Sequence, residues 1–206
     1  PGTFVYNLIS VQDGSTSTCS NPQAGSVTAV VYSYPPIDAG IDQLICQYTS
    51  TSVVADNPTG VPFYWDNGVT NGVNFTPSGP GTYTVSADNN GCISTDDVYI
   101  DIKLLPTIDF TGDILQGCEP LTVNFTSTSS SASGLANCVW NFGDGNTAVG
   151  CGSASNTFEN AGYYDVTLTA TSNNGCVNSE TFANYIYVEA YPVTSFSPTN
   201  ILVTSL

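Results

Sequence analysis

Seven cysteines are the residues of this chain best suited to chemistry, and their spacing favours disulfide bonds. No two of them form a C-x-x-C pair, and the chain has no histidine, so the clustered ligands of a zinc site are missing. Disulfide bonds form and persist in oxidising compartments, so we predict a secreted, extracellular protein. The cysteines are Cys19, Cys46, Cys92, Cys118, Cys138, Cys151 and Cys176.

The sequence around four of these cysteines repeats and predicts two long-range bonds. Two N-N-G-C motifs end in Cys92 and Cys176, and each follows a strand of the form G-x-Y-x-V. Cys46 and Cys118 each stand near the start of the same kind of unit. We therefore predict the bonds Cys46–Cys92 and Cys118–Cys176. Each would close a loop of several dozen residues, which the chain-entropy model values at roughly 4 kcal/mol.

The other three cysteines predict one short bond and one unmatched residue. Cys138 and Cys151 flank the W-N-F-G-D-G segment at Trp140–Gly145, and we predict that they bond to each other. Cys19 is then unpaired in this chain. We expect its partner to lie in an upstream part of its own domain, outside these residues.

The remaining reactive residues argue against an active site. The absence of histidine excludes Ser-His and Cys-His couples, and the predicted bonds occupy the cysteines. None of the 17 acidic residues lies in a recognisable acid/base pair of the kind that glycoside hydrolysis needs. We therefore predict that the chain is not an enzyme and has no catalytic residues.

Calcium is the one cofactor that the sequence allows. Asp38 and Asp42 lie near a predicted domain junction, where Asp13 or Asp88 would approach them. Oxygen-rich clusters at such junctions bind calcium and stiffen rods. The alternative is ordinary turn chemistry, since Asp favours turns without any metal and no D-x-D-x-D-G loop is present. Asp38 and Asp42 are thus weak metal candidates, and no other cofactor is expected.

The charge of the chain excludes two classes of partner. Lys103 is the only basic residue against 17 acidic ones, which gives a net charge of −16. Binding to nucleic acids or to anionic membrane surfaces requires the cations that this chain lacks. No apolar run approaches the length that spans a bilayer, so we also predict no membrane insertion. The charge itself favours solubility and mutual repulsion on a cell exterior.

The strands that must position these residues recur along the chain. Frequent Val, Thr and Tyr, without long helical patterns, predict an all-β protein. Segments of the form G-x-aromatic begin at Gly2, Gly81 and Gly162, and each leads into a second strand with alternating apolar residues. We therefore predict tandem β-sandwiches.

Prolines mark the predicted boundaries between these sandwiches. Proline cannot donate to a strand ladder, and it forces the preceding residue to be extended. Short proline-bearing junctions also favour a semi-rigid rod. The predicted pieces are the C-terminal part of one sandwich at 1–34, complete sandwiches at 35–105 and 106–190, and the start of a further one at 191–206.

The large aromatic residues of 106–190 are predicted to fill a core. Trp140 and Phe142 are two residues apart on a strand, so they share one face, which we assign to the core. Phe158 is expected to pack near Trp140, together with either Tyr163 or Tyr164. The G-D-G that follows Phe142 predicts a tight turn.

The segments Trp140–Gly145 (W-N-F-G-D-G) and Asn156–Thr169 (N-T-F-E-N-A-G-Y-Y-D-V-T-L-T) together resemble the polycystic kidney disease (PKD) domain. That family is an immunoglobulin-like β-sandwich common in bacterial surface proteins. The resemblance implies one such sandwich at 106–190. The chain departs from the family at Asn141, where Asp is common, and at Asn156, where His is common.

The preceding piece, 35–105, resembles the immunoglobulin-like repeats of very large surface proteins of gliding Bacteroidota. The phrases that carry this resemblance are D-A-G-I-D-Q-L-I-C-Q, F-Y-W-D-N-G and G-T-Y-T-V-S-A-D-N-N-G-C. Such repeats build a stalk that the type IX secretion system exports. The resemblance implies a structural stalk segment of a long secreted adhesin or filament, whose partners are neighbouring repeats. The alternatives are a glycan- or protein-binding module, with Tyr64 or Tyr191 stacking on sugars, and an accessory region of a large secreted hydrolase.

Overall fold

The computed structural model describes residues 1–12 and 20–193, and all their regular structure is strand. The predicted all-β class is therefore confirmed. None of these residues lies in a helix that would be long and apolar enough to cross a membrane. The chain divides into two compact units, Pro1–Ile102 and Lys103–Leu206. The predicted rod and its four pieces stay predictions, and most of the piece at 191–206 lies outside the described residues.

The first unit begins with a long hairpin of β1 (Gly2–Gln12) and β2 (Ser20–Val31). The two strands pair antiparallel with one register shift. Successive residues of a strand point to opposite faces, and Phe4 and Val5 are 49% and 58% exposed. Both faces of the hairpin are therefore open to solvent around these residues.

A small sandwich follows in the same unit. Its strands are β3 (Gln43–Cys46), β4 (Phe63–Trp65), β5 (Gly81–Asn89) and β6 (Cys92–Lys103). They form one sheet in the order β3-β6-β5-β4, and isolated bridges join Asp38 to Asp56 and Thr51 to Phe75 outside it. The buried residues of its core are Ala39, Val53, Trp65, Val85, Val98 and Ile100.

Strands β5 and β6, which carry the G-x-Y-x-V and N-N-G-C motifs, form an antiparallel hairpin. Asn89 pairs with Cys92, which leaves a loop of two residues. These are Asn90 and Gly91, with φ angles of 53° and 91°. A type I′ turn needs positive φ at both positions and favours Asn-Gly, so the sequence fixes this loop. On β5, Val85 is fully buried and anchors the hairpin to the core.

The second unit is a sandwich of two sheets. Its strands are β7 (Phe110–Gly112), β8 (Gln116–Cys118), β9 (Leu121–Ser127), β10 (Leu135–Asn141), β11 (Thr147–Val149), β12 (Ser153–Phe158), β13 (Gly162–Ser172) and β14 (Val177–Glu189). The larger sheet has the order β11-β10-β13-β14-β8, and the smaller has the order β12-β9-β7. Strand β8 runs parallel to β14, while the other described pairs are antiparallel.

Aromatic rings fill the space between these two sheets. Trp140 and Phe142 are 0% and 1% exposed, which confirms their predicted core position. From the smaller sheet, the rings of Phe110 and Phe125 lie 5.1 Å and 5.7 Å from that of Trp140. Burial of one large apolar side chain contributes about 1.5–3 kcal/mol, so this cluster is a main source of the unit's stability.

Candidate functional site

The W-N-F-G-D-G segment builds core and turn. The ring nitrogen of Trp140 donates a hydrogen bond to the backbone oxygen of Gly150 at 3.1 Å, so its polar atom is satisfied inside the sandwich. Gly143 has a φ of 80°, and a Cβ atom there would collide with the backbone oxygen of Asp165. The turn therefore requires glycine at this position.

Three polar side chains form a hydrogen-bonded cluster beside this turn. The carboxylate of Asp144 accepts hydrogen bonds from Nδ2 of Asn146 at 2.9 Å and from Nδ2 of Asn156 at 2.7 Å. Nδ2 of Asn146 also donates to Oδ1 of Asn156 at 3.2 Å. Asn156 lies on β12 and Asp144 follows β10, so the cluster joins the two sheets. Its polar atoms bind one another, which gives it a structural role.

Both departures from the resembled family pattern are part of this local structure. Asn156 is 8% exposed and supplies a donor to the cluster. The side-chain oxygen of Asn141 accepts a hydrogen bond from the backbone N–H of Gly143 at 3.0 Å. Among the described residues, no buried side-chain nitrogen or oxygen lacks a hydrogen-bond partner. No orphaned polar atom in this part of the chain therefore points to a missing ligand.

The two calcium candidates bind backbone groups. Oδ1 of Asp38 accepts a hydrogen bond from the N–H of Gly40 at 2.7 Å, and Oδ1 of Asp42 accepts one from Tyr99 at 2.8 Å. Within residues 1–12 and 20–193, no three His, Cys, Asp or Glu side chains come together to hold a metal ion. Asp13 lies outside these residues. The hydrogen bond of Asp38 thus matches the turn chemistry that is the alternative to calcium, whereas that of Asp42 joins it to β6.

Neighbouring tyrosines on β13 have opposite positions. Tyr164 turns inward, and its ring lies 4.7 Å from that of Phe158, so it is the tyrosine of the pair that joins the core. Tyr163 turns outward, is 64% exposed and stacks on Tyr187 of β14 at 4.4 Å. The outer face of the larger sheet therefore presents a paired aromatic surface to solvent.

The two tyrosines that the binding-module alternative expects to stack on sugars are accessible. Tyr64 and Tyr191 are 63% and 62% exposed. In the first unit, Phe75 and Tyr83 line an open depression of about 430 Å³, with their ring centroids 5.1 Å apart. The described surface thus offers accessible aromatic rings in both units.

The short disulfide predicted for the second unit is present. Cys138 of β10 and Cys151 are bonded, with their Cα atoms 4.8 Å apart. Cys138 is fully buried and belongs to the aromatic core cluster. The bond links the segment after β11 to strand β10 of the larger sheet.

The two long-range disulfide predictions are wrong. Among the described residues, Cys92 and Cys118 are free thiols, so the bonds Cys46–Cys92 and Cys118–Cys176 do not exist in the structure. Cys46 and Cys176 are each disulfide-bonded. Cys19, predicted to be unpaired, lies outside the described residues.

In the second unit, the direction of β8 explains the error. Strand β8 runs parallel to β14 and places Cys118 beside Glu189, the last residue of β14. Cys176 precedes Val177, the first residue of that strand. At about 3.3 Å per residue, the two ends of β14 lie roughly 40 Å apart. A disulfide requires Cα atoms within about 7 Å, so these cysteines cannot meet.

The first unit has the same geometry. Two hydrogen bonds link the segment before β3 to β6, from Ala39 to Asp96 and from Tyr99 to Asp42. Because both numbers increase together, this segment runs in the same direction as β6. The cysteine that ends β3 therefore lies toward the C-terminal end of β6. Cys92 is the first residue of β6, at the opposite end.

Comparisons with known proteins identify one family model and several similar solved structures. Residues 104–187 match the family model of the PKD domain. The chain is similar to the PKD1 domain of Vibrio anguillarum Epp, with 26% identity over 41% of this chain and 96% of that one, at a TM-score of 0.36. It is also similar to the PKD1 domain of the Vibrio cholerae metalloprotease PrtV, with 28% identity over 41% and 98% and the same TM-score.

A likeness of lower identity covers a larger share of the chain. Fibronectin(III)-like modules of Clostridium thermocellum CbhA are 12% identical over 78% of this chain and 96% of theirs, at a TM-score of 0.37. No curated protein sequence matches the chain. The described residues thus form an all-β structure, and the PKD family model matches the segment that makes up most of its second unit.

Proposed function

We propose that this chain is a structural stalk segment of a long secreted adhesin or filament, which spaces a distal binding region from the cell. Its partners are neighbouring repeats of the same chain, and it performs no catalysis. The resemblance of 35–105 to repeats of gliding Bacteroidota supports attachment to a cell surface and export by the type IX system. The PKD-type domain and the disulfide chemistry support an extracellular location.

The observation that carries this proposal is the position of the most distinctive motif. Trp140 and Phe142 are buried in the core, and Gly143 is fixed by the turn. The polar residues beside them are bonded to one another. A motif whose residues all serve the fold favours a structural role for the domain.

Repetition is the second support. Three antiparallel hairpins, β1–β2, β5–β6 and β13–β14, each begin with glycine followed two residues later by an aromatic residue. Chains built from recurring units make elongated structures with nearest-neighbour contacts. A spacer is the simplest use of such a design.

Small-angle X-ray scattering of the chain tests the proposal. A compact globule of this length has a radius of gyration of about 17 Å. We expect a clearly larger value, with the linear cross-sectional Guinier region of a rod. A radius near the compact value would contradict the stalk.

A glycan-binding module is the second candidate function. The stacked, solvent-facing pair of Tyr163 and Tyr187 supports it, because flat aromatic surfaces bind sugar rings. A glycan array with the chain and with Tyr163→Ala tests this function, with Tyr99→Ala, an exposed tyrosine of β6, as the matched control. Binding that only Tyr163→Ala abolishes favours it. A catalytic domain adjoining this segment in a longer chain would instead favour an accessory region of a hydrolase.

A further inference from the structure

We propose that copies of this chain join end to end through disulfide bonds. In each bond, Cys118 of one copy is linked to Cys92 of the next copy. This inference rests on the proposed stalk, because it requires repeats that meet end to end. It assigns a role to the two free thiols among the described residues.

Cys118 is equivalent in position to a cysteine that is oxidised. Both Cys46 and Cys118 end a short strand that lies beside the closing strand of its own sandwich and runs in its direction. Cys46 is disulfide-bonded, whereas Cys118 is an exposed thiol. The same fold position therefore carries one oxidised and one free cysteine. We infer that Cys118 lacks only its partner.

Cys92 has an oxidised equivalent as well. Cys92 and Cys176 each complete an N-N-G-C motif at the start of a closing strand. Cys176 is disulfide-bonded, and its Sγ lies 3.9 Å from the backbone oxygen of Lys103. The Sγ of Cys92 lies 3.7 Å from the backbone oxygen of Tyr32. Both sulfur atoms thus face the chain segment that leads into their own sandwich.

The surroundings of Cys92 show where its partner must come from. Tyr32 directly follows β2, the closing strand of the preceding hairpin, and Nδ2 of Asn89 donates to the backbone oxygen of Ser33 at 2.9 Å. The N-N-G-C turn is therefore anchored at the end of the closing strand that comes before it. Cys118 lies beside Glu189, the end of the closing strand β14. A following repeat that docks in the same way brings its N-N-G-C cysteine to Cys118.

The bond forms by thiol–disulfide exchange with oxidised glutathione. The thiolate of Cys118 attacks one glutathione sulfur and releases the other as a thiolate. The thiolate of Cys92 on the second copy then attacks the Cys118 sulfur of the mixed disulfide and releases the second glutathione. The two glutathione molecules leave reduced, with the two electrons and the two protons that the cysteine thiols lose.

The experiment uses the whole chain in a Cys19→Ser background, incubated with glutathione redox buffer and run on non-reducing gels. The parent should give an open-ended ladder, because each copy carries one thiol of each kind and head-to-tail links do not close. Cys92→Ser alone and Cys118→Ser alone should lose the ladder and stay monomeric. Their equal mixture should give dimers and no higher species, with a Cys92–Cys118 peptide in a chymotryptic digest.

Other outcomes would overturn the proposal. Dimers from either single variant alone would show links between like cysteines. Absence of linked species in the mixture, while iodoacetamide still alkylates both thiols, would show that the two sites do not meet. Circular dichroism of each variant establishes that it is folded. If the parent gives no ladder but its small-angle X-ray scattering is that of a rod, the disulfide between copies is rejected and the proposed stalk is not. If the scattering is that of a compact globule, the proposed stalk itself is rejected.

Discussion

The two sandwiches close with the same kind of hairpin, but they differ in the core behind it. In the second unit, thirteen buried residues pack between two sheets, whereas six form the core of the sandwich in the first unit. The second core is rich in aromatic rings, while Trp65 is the one aromatic residue among the six. The hairpin sequence thus identifies the repeated element, and we expect the size of the hydrophobic core to set the stability of each unit.

Removing the central tryptophan of each unit should show this difference most strongly. Trp140→Ala should lower the free energy of unfolding by about 4 kcal/mol, because it empties a fully enclosed site. Trp65→Ala should cost less, about 3 kcal/mol, since its core cluster has fewer buried residues and its side chain is 7% exposed. Urea denaturation followed by far-UV circular dichroism measures both.

The chain supplies its own control for that experiment. Each unit contains one of the two tryptophans, so the fluorescence of the remaining one reports the unit without the substitution. Equal losses in the two variants would show that core size does not separate the sandwiches.

Removing the disulfide should be the next largest effect. Cys138 and Cys151 are separated by 13 residues in sequence, and a loop of that length gains about 3 kcal/mol from its crosslink. Cys138→Ala with Cys151→Ala should lower the stability of the second unit by that order. Trp140 fluorescence in a Trp65→Phe background measures it, and an unchanged urea midpoint would place the stability of this unit in its core alone.

Two turn glycines offer a smaller contrast. Gly143 and Gly68 have φ angles of 80° and 70°, but a Cβ atom at Gly68 would meet nothing within 4 Å. Gly68→Ala should therefore cost only the left-handed strain of about 1–2 kcal/mol. Gly143→Ala adds a backbone collision with Asp165 and should cost more in thermal denaturation. Similar melting shifts would mean that the turn at Gly143 relaxes freely.

The smallest effect concerns Asp113. The side-chain and backbone N–H groups of Asn124 each donate to its carboxylate at 2.8 Å, and these bonds lower the pKa of Asp113. Because the pKa of Asp113 is lower in the folded than in the unfolded state, its ionised carboxylate stabilises the fold at pH values above the pKa of the unfolded state. This stabilisation is lost as the pH falls through the pKa of the folded state. Asn124→Ala should raise the midpoint of the Asp113 titration by NMR, whereas Thr122→Val on the same strand should not. No movement with Asn124→Ala would reject this cause.

The local sequence pattern was sufficient to predict the core residues of the second unit and the strands of the closing hairpins. The spacing of Trp140 and Phe142 on one strand predicts their shared inward face, and the G-D-G after Phe142 predicts the turn that Gly143 begins. The choice between Tyr163 and Tyr164 was also present in the sequence. Val166 is buried on β13, and a period of two places Tyr164 on its face.

The cysteine pairs show what the sequence could not supply. Repeated motifs tell which residues correspond between units, but they do not tell at which end of a neighbouring strand each residue lies. That depends on β3 and β8 running along their closing strands in the same direction, and strands of four and three residues carry little pattern. Likewise, no motif pairs Asp144 with Asn156, because the contact forms only when the two sheets stack.

Lys103, the last residue of β6, has a consequence for how proteases cut the protein. Trypsin-like proteases cut after basic residues, and this chain offers them a single bond. That bond follows a residue at the end of a hydrogen-bonded strand, at the division between the two units. Such enzymes would leave each sandwich whole, and a tryptic digest would yield two long fragments, 1–103 and 104–206, in place of the short peptides on which detection by mass spectrometry depends.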